Sequence, residues 1–453
     1  MCCCSCLKQP WFLIINAAVP GSSGLSNEPS IKTTGRSGGS VFTKAIVRNA
    51  ISIFGARFIN ALSSLLIFLI VSHQLGKELF GIFALWNTII SSGIIIANFG
   101  TDILIIKMIK EDPAAANEIL FSTIYLKIIT SLLIVFLIAV GSTLYESDLW
   151  SGGILVFYST TILINVISQS FWFYSDALNK MEYHGFLWAA SNILKLFFIY
   201  IGFMLKKNLS TAIGAVILAE GLTLVLSYGM LKWKFQIRRT QAVLSRLAFI
   251  AGRAWPFAAL LIVSVLYSRF DLFMVGFLCD ARAVGEYAAA SKFLEMISLL
   301  SGTLMIAVFP VLQSDYLKND KAFRKQAKRM GLSLLAAGTI TSLLVFYFSD
   351  ILILRLYGSA FQDSVILLKI LSMGIIFIFI NNYMAYYHLV LNREKTVLYL
   401  VVGIAGFNVL LNFYGIGRYQ HRGAAMARIV SEVILFMFYI LLLCRDYQRG
   451  LNR

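Results

Sequence analysis

From residue 49 to residue 444 the chain alternates long apolar runs with short polar connections. Twelve such runs are read, at 49–72, 80–106, 118–140, 151–174, 186–205, 212–231, 249–279, 284–309, 331–349, 364–391, 397–414 and 423–444. A hydrocarbon core of roughly 30 Å takes about 20 helical residues to cross. Each run is therefore expected to form a membrane-spanning helix. The expected fold is an all-α polytopic membrane protein.

The connections carry an orientation signal. One alternate set holds Lys107, Lys110, Lys180, a basic stretch from Lys232 to Arg246, a second from Lys318 to Arg329, Arg393 and Lys395. The other set holds only Lys77, Lys206, Lys207, Arg282, Arg355, Arg418 and Arg422. Cytoplasmic loops concentrate Lys and Arg, so both termini are expected in the cytoplasm. Residues 317–329 read equally as an interfacial helix or as a solvated loop.

The pattern also repeats. Leu75-Gly76-Lys77-Glu78-Leu79-Phe80-Gly81-Ile82-Phe83-Ala84 follows the first run, and residues 278–288, ending Gly285-Glu286-Tyr287-Ala288, follow the seventh. Each closes on Gly-x-aromatic-Ala where the next helix begins. Two six-helix bundles are expected, at 45–231 and 249–444. An even number of spans per half gives both the same orientation and a pseudo-twofold axis along the membrane normal. A basic cytoplasmic linker at 232–248 joins them. Cytoplasmic tails are expected at 1–44, disordered and Gly/Ser-rich, and at 445–453.

Composition agrees. Of 453 residues, 59% are hydrophobic and 13% charged, far from the roughly 25% charged residues of soluble domains. The net charge of +17 would suggest nucleic acid in a soluble chain; here the loop bias accounts for it, and no nucleic-acid partner is expected. No phosphate-binding loop of the GxxxxGK[ST] kind is present. The four histidines lie far apart, and Cys2, Cys3, Cys4 and Cys6 crowd the amino terminus without a metal-ligand spacing. No metal, cofactor or enzymatic activity is expected.

Charges inside the runs are the candidate chemistry, because each costs about 2.5–3.5 kcal/mol to place at bilayer depth. Arg57, Arg269 and Lys292 sit too deep for easy snorkelling. Lys127 and Lys195 read equally as cavity lining or packing. Arg269 and Asp271 lie two apart, about 200° around a helix, so Arg269 is expected toward a cavity and Asp271 toward a neighbouring helix. Lys292 and Glu295 share a face. Arg428 and Glu432, one turn apart, are expected to pair. Asp102 and Lys369 lie near span ends, within snorkelling reach of the surface. Asn165, Gln169, Asn381 and Asn382 suit sugar hydroxyls or interhelical hydrogen bonds. Arginine offers a planar fork for phosphate oxygens, so a diphosphate is the natural partner of a cavity lined by Arg57, Arg269, Lys292, Lys127 and Lys195.

The apolar helix with an internal Asp271, then Gly285-x-Tyr287-Ala288-Ala289, then Phe309-Pro310 with a basic segment, then Leu356-Tyr357-Gly358, resembles the polysaccharide-export branch of the MOP transporter superfamily. Its best-known members are the Wzx-type O-antigen flippases. The resemblance runs from about residue 41 to residue 443. It implies a flippase for an undecaprenyl-diphosphate-linked oligosaccharide of O-antigen (lipopolysaccharide) or exopolysaccharide type, in a bacterial inner (cytoplasmic) membrane. It further implies alternating access driven by H+, Na+ or the membrane potential, with Asp271, Glu295 and Glu220 as candidate coupling acids. Membrane lipid, a polysaccharide polymerase and a chain-length regulator are the partners implied. The rival readings are a drug or metabolite antiporter of the MATE branch, whose organic cations favour acidic cavities, and a lipid II flippase, which has fourteen spans. A membrane polymerase or ligase is a third, and needs a larger external loop than this chain offers.

Overall fold

A computed structural model describes residues 38–144, 152–237, 244–318 and 320–451, with side chains from residue 58 onward apart from 152, 244–245, 266, 306–307, 310, 317–322 and 446–451. Most of the amino-terminal tail, and the Arg57 side chain, lie outside the described residues. All regular structure among the described residues is helical: α1 Gly38–Ala97, α2 Thr101–Glu111, α3 Ala116–Leu144, α4 Gly152–Ala177, α5 Met181–Leu205, α6 Leu209–Phe235, α7 Leu244–Leu278, α8 Ala281–Lys318, α9 Asp320–Leu356, α10 Gln362–Val390 and α11 Glu394–Leu451. Short 3-10 turns at Pro113–Ala115 and Ser359–Phe361 connect α2 to α3 and α9 to α10.

Eleven of the twelve apolar runs each lie on one of these helices, to within a residue at the ends; the run 80–106 is divided between α1 and α2 by a turn at residues 98–100. Nine helical stretches among the described residues are long and apolar enough to cross a membrane. The numbers differ for two reasons. Phe58–Glu111 and Glu394–Arg445 span 54 and 52 residues, about 80 Å of helix, more than twice a bilayer core. Each is broken inside by a non-helical residue, Gly76 with φ 74° and Gln420 with φ 50°. In addition α8, which carries Lys292 and Glu295, is not one of the nine.

Burial in α3 runs opposite to that of a water-soluble helix. It exposes Ile129, Leu132, Leu133, Phe136 and Leu137 while burying Ser122, Thr123, Lys127 and Ser131. An apolar outer face over a polar inner one is stable only where the surroundings are hydrocarbon.

The fold divides into two compact units. One contains α1 up to Leu75 and from Ile89, then α2 to α6 and α7 as far as Ile262. Within it α4 packs against α2, α3 and α6, and α5 against α6. Local chemistry sets its corners: Asp112 accepts a hydrogen bond from the Ala115 backbone N–H at the start of the Pro113 turn, and Asn208 caps α6 by accepting from Thr211. The other unit contains Gly76–Thr88 and the chain from Val263 onward. Its centre is α10, which packs against α8, α9 and α11 and is buried around most of its circumference. Residues 320–329 are helical as the start of α9, with Phe323 buried and stacked on Tyr387 at 5.6 Å.

Candidate functional site

In the unit built on α10, α7 and α8 form an antiparallel hairpin turned at Cys279 and Asp280. The turn brings side chains of the two helices together. Arg269 on α7 meets Glu295 on α8, Nη1 to Oε1, at 2.9 Å. Lys292, three residues before Glu295 on the same helix, reaches the other carboxylate oxygen at 3.1 Å. One carboxylate thus bridges two cations, and the three charges sum to one positive. The side chains of Arg269 and Lys292 are only 17% and 11% exposed, whereas that of Glu295 is 40% exposed. The acid lies on the open side of the cluster.

Asp271 turns elsewhere. Its Oδ2 accepts the Tyr287 hydroxyl at 2.6 Å, its Oδ1 accepts the Leu272 backbone N–H at 2.9 Å, and Arg428 lies 3.6 Å away. Tyr287 is the aromatic of the Gly-x-aromatic-Ala motif, so the motif holds the acid of the preceding helix. Arg428 also donates to the Tyr267 and Ser268 carbonyls at 3.4 and 3.5 Å and stacks over the Tyr267 ring. Its Nε forms an ion pair with Glu432 at 3.9 Å, one turn away as expected, though beyond hydrogen-bond range. Glu432 also accepts hydrogen bonds from the Tyr267 hydroxyl and Asn381 Nδ2, each at 2.9 Å. A small cavity of about 90 Å³ lies among Tyr267, Ser268, Asn381, Asn382, Arg428 and Glu432.

The remaining candidates lie in the other unit. Lys127 on α3 donates to Asp102 on α2 at 2.6 Å, with both side chains 2% exposed or less. Asp102 is therefore not a snorkelling residue: Thr101–Glu111 turns it inward, where Lys127 neutralises it. Lys195 on α5 meets Glu220 on α6 at 2.6 Å. Glu220 also accepts from Asn165, which accepts from Gln169, whose own oxygen accepts from Asn98. Asn165 and Gln169 so form an interhelical hydrogen-bond chain. Lys369 pairs with Asp350 at 2.7 Å, both partly exposed.

One cluster was missed by sequence reading. Glu286, buried at the start of α8, accepts from Lys77 at 3.0 Å and Arg282 at 3.3 Å, and His421 Nε2 stands 3.4 Å away without a hydrogen bond. Lys77 also donates to the Ala360 carbonyl at 3.2 Å, and Ser364 to the Glu286 carbonyl at 2.9 Å. The signal was present in the repeat, where Glu286 stands opposite the apolar Ile82. Among the described residues no group of three or more His, Cys, Asp or Glu side chains is placed to hold a metal.

The family described as polysaccharide biosynthesis protein matches residues 46–314. Among curated proteins, none matches the chain in sequence. Several solved structures share its fold. An inward-facing multidrug resistance MATE family transporter of the MOP superfamily aligns with a TM-score of 0.67 at 15% identity, over 88% of this chain and 99% of that one. The lipid II flippase MurJ in an inward closed conformation aligns with a TM-score of 0.67 at 16% identity, over 88% of this chain and 87% of that one. A MOP superfamily transporter from Pyrococcus furiosus, described as having a binding pocket of reverse polarity, aligns with a TM-score of 0.62 at 14% identity, over 90% and 96%.

Proposed function

The chain belongs to the polysaccharide biosynthesis protein family, with the fold of the MOP superfamily transporters, and from that premise we propose that it flips an undecaprenyl-diphosphate-linked oligosaccharide across a bacterial cytoplasmic membrane. The observation that carries this reading is the convergence of Arg269 and Lys292 on one carboxylate. Two cations and one acid leave a positive site inside a bundle whose outer faces are apolar. Such a site suits a diphosphate and repels the organic cations of a drug exporter. One phosphate charge about 4 Å from a guanidinium gains roughly 4 kcal/mol at an effective dielectric of 20, before desolvation is subtracted.

Arg269 and Lys292 are the proposed diphosphate ligands; the Arg57 side chain lies outside the described residues. The pairs Lys127–Asp102 and Lys195–Glu220 are each already neutral, which favours packing over substrate contact for these two lysines. The loop charge bias supports both termini in the cytoplasm.

The test is transport of a fluorescent undecaprenyl-diphosphate oligosaccharide in vesicles containing the purified protein. Arg269→Ala is expected to abolish flipping while the protein stays folded. Arg269→Lys keeps the charge but loses the fork, so partial activity is expected. Flipping by Arg269→Ala at the unaltered rate overturns the proposal.

A further inference from the structure

Between turnovers the site holds Arg269 and Lys292 without substrate. Two cations in a bilayer-spanning bundle are unfavourable unless something neutralises them. Glu295 does so in a particular geometry. It offers one oxygen to each cation, at 2.9 and 3.1 Å. That is the bridging contact two oxygens of a phosphate group would make. It is also the most exposed of the three side chains, at 40% against 17% and 11%, so an anion arriving from the open side meets the carboxylate before the cations. Asp271 is engaged elsewhere, held by Tyr287, Leu272 and Arg428.

We infer that Glu295 is a resident stand-in for the substrate's phosphate. It occupies the Arg269–Lys292 pair when the carrier is empty and is displaced when a lipid diphosphate binds. This rests on the flippase reading and adds to it. The empty site then carries one net positive charge in place of two and resets readily. Binding exchanges one anion for another, so substrate is held less tightly than two uncompensated cations would hold it, and it can leave. A carboxylate fixed in this place limits affinity and sustains turnover.

Glu295→Gln keeps the shape and removes the competing charge. In lipid nanodiscs, undecaprenyl diphosphate is expected to bind Glu295→Gln at least about tenfold more tightly than the unaltered protein, corresponding to about 1.4 kcal/mol. Inorganic diphosphate, run in parallel, is expected to show the same ratio at lower affinity; tightening confined to it would place a free anion, not the lipid, at this site and overturn the inference. In vesicles, KM and the maximal flipping rate are expected to fall together. A purely structural role for Glu295 would lower the rate without tightening binding. Glu295→Asp, which retains the charge but withdraws it by one methylene, is expected to tighten binding to an intermediate degree. It carries the test should Glu295→Gln fail to accumulate. Unchanged or weaker binding in these variants, with binding lost in Arg269→Ala, overturns the stand-in and leaves the flippase reading intact. Normal binding and flipping by Arg269→Ala overturns both.

Discussion

At the scale of single residues, the structure turns on which charges have partners. Lys127 and Asp102 are a sealed pair, and removing one partner of such a pair costs about 3–5 kcal/mol because the other charge is left buried and uncompensated. Lys127→Ala is therefore expected to lower the melting temperature of the detergent-solubilised protein sharply. Lys127→Met combined with Asp102→Leu is expected to recover most of that loss, since apolar replacements of similar volume are often neutral. The double variant should also flip substrate normally, and a stable but inactive double variant would return Lys127 to the substrate site. These partners were only partly legible in the sequence. Position along a run gives depth, but rotation about the helix axis and the identity of the facing helix decide the partner. Local spacing made Arg428 and Glu432 the obvious couple. That ion pair forms, at 3.9 Å. The hydrogen bonds to Glu432, however, come from Tyr267 and Asn381, on other helices and more than fifty residues away, which local spacing does not disclose. The pairing of Lys292 with Glu295, three apart on one face, needed no such knowledge and was visible.

At the scale of the helix, the two Gly-x-aromatic-Ala motifs meet each other. A Cβ on Gly81 would collide with the Ala281 carbonyl oxygen, and a Cβ on Gly285 would collide with the Lys77 carbonyl oxygen. Each glycine thus lies against the backbone one turn before the other, a reciprocal contact of the kind a twofold axis produces. Backbone atoms cannot give way as a flexible side chain can. Gly81→Ala and Gly285→Ala are each expected to force the two helix starts apart, costing about 1–3 kcal/mol as overpacking does. Gly55→Ala, which meets nothing within 4 Å, is the matched control. Thermal melts of the three variants check this. The repeat disclosed the glycines before the structure did, but not that they touch, because sequence similarity between two segments says nothing about their separation.

At the scale of the whole molecule, the apolar runs made the fold class legible, since hydrocarbon tolerates little besides helix among open segments. The ends were less legible: the helices run several residues past the apolar stretches, as at Leu144, Phe235 and Leu356, because a helix continues into polar residues beyond the hydrocarbon. The kinks at Gly76 and Gln420 show where chain direction changes without any loop at all. Two further outcomes belong to this scale. A chain starting at residue 41 is expected to insert and flip substrate as the full chain does, measured in the same vesicles. Single cysteines placed in the 232–248 segment and after residue 445 are expected to react with an impermeant maleimide only after the membrane is opened from the cytoplasmic side.

The way the chain is shared between the two compact units also bears on how it comes apart. Residues Gly76–Thr88, from the first third of the sequence, belong to the unit formed mostly by the last two-fifths, while α7 before Val263 belongs to the other. Severing the backbone between residues 237 and 244 would therefore not release two independent pieces. Each fragment would carry a segment that completes its counterpart's core, like two hands with a finger exchanged. The fragments, produced separately in one membrane and tagged on one side only, should be recovered together. A molecule nicked between those residues should still behave as one.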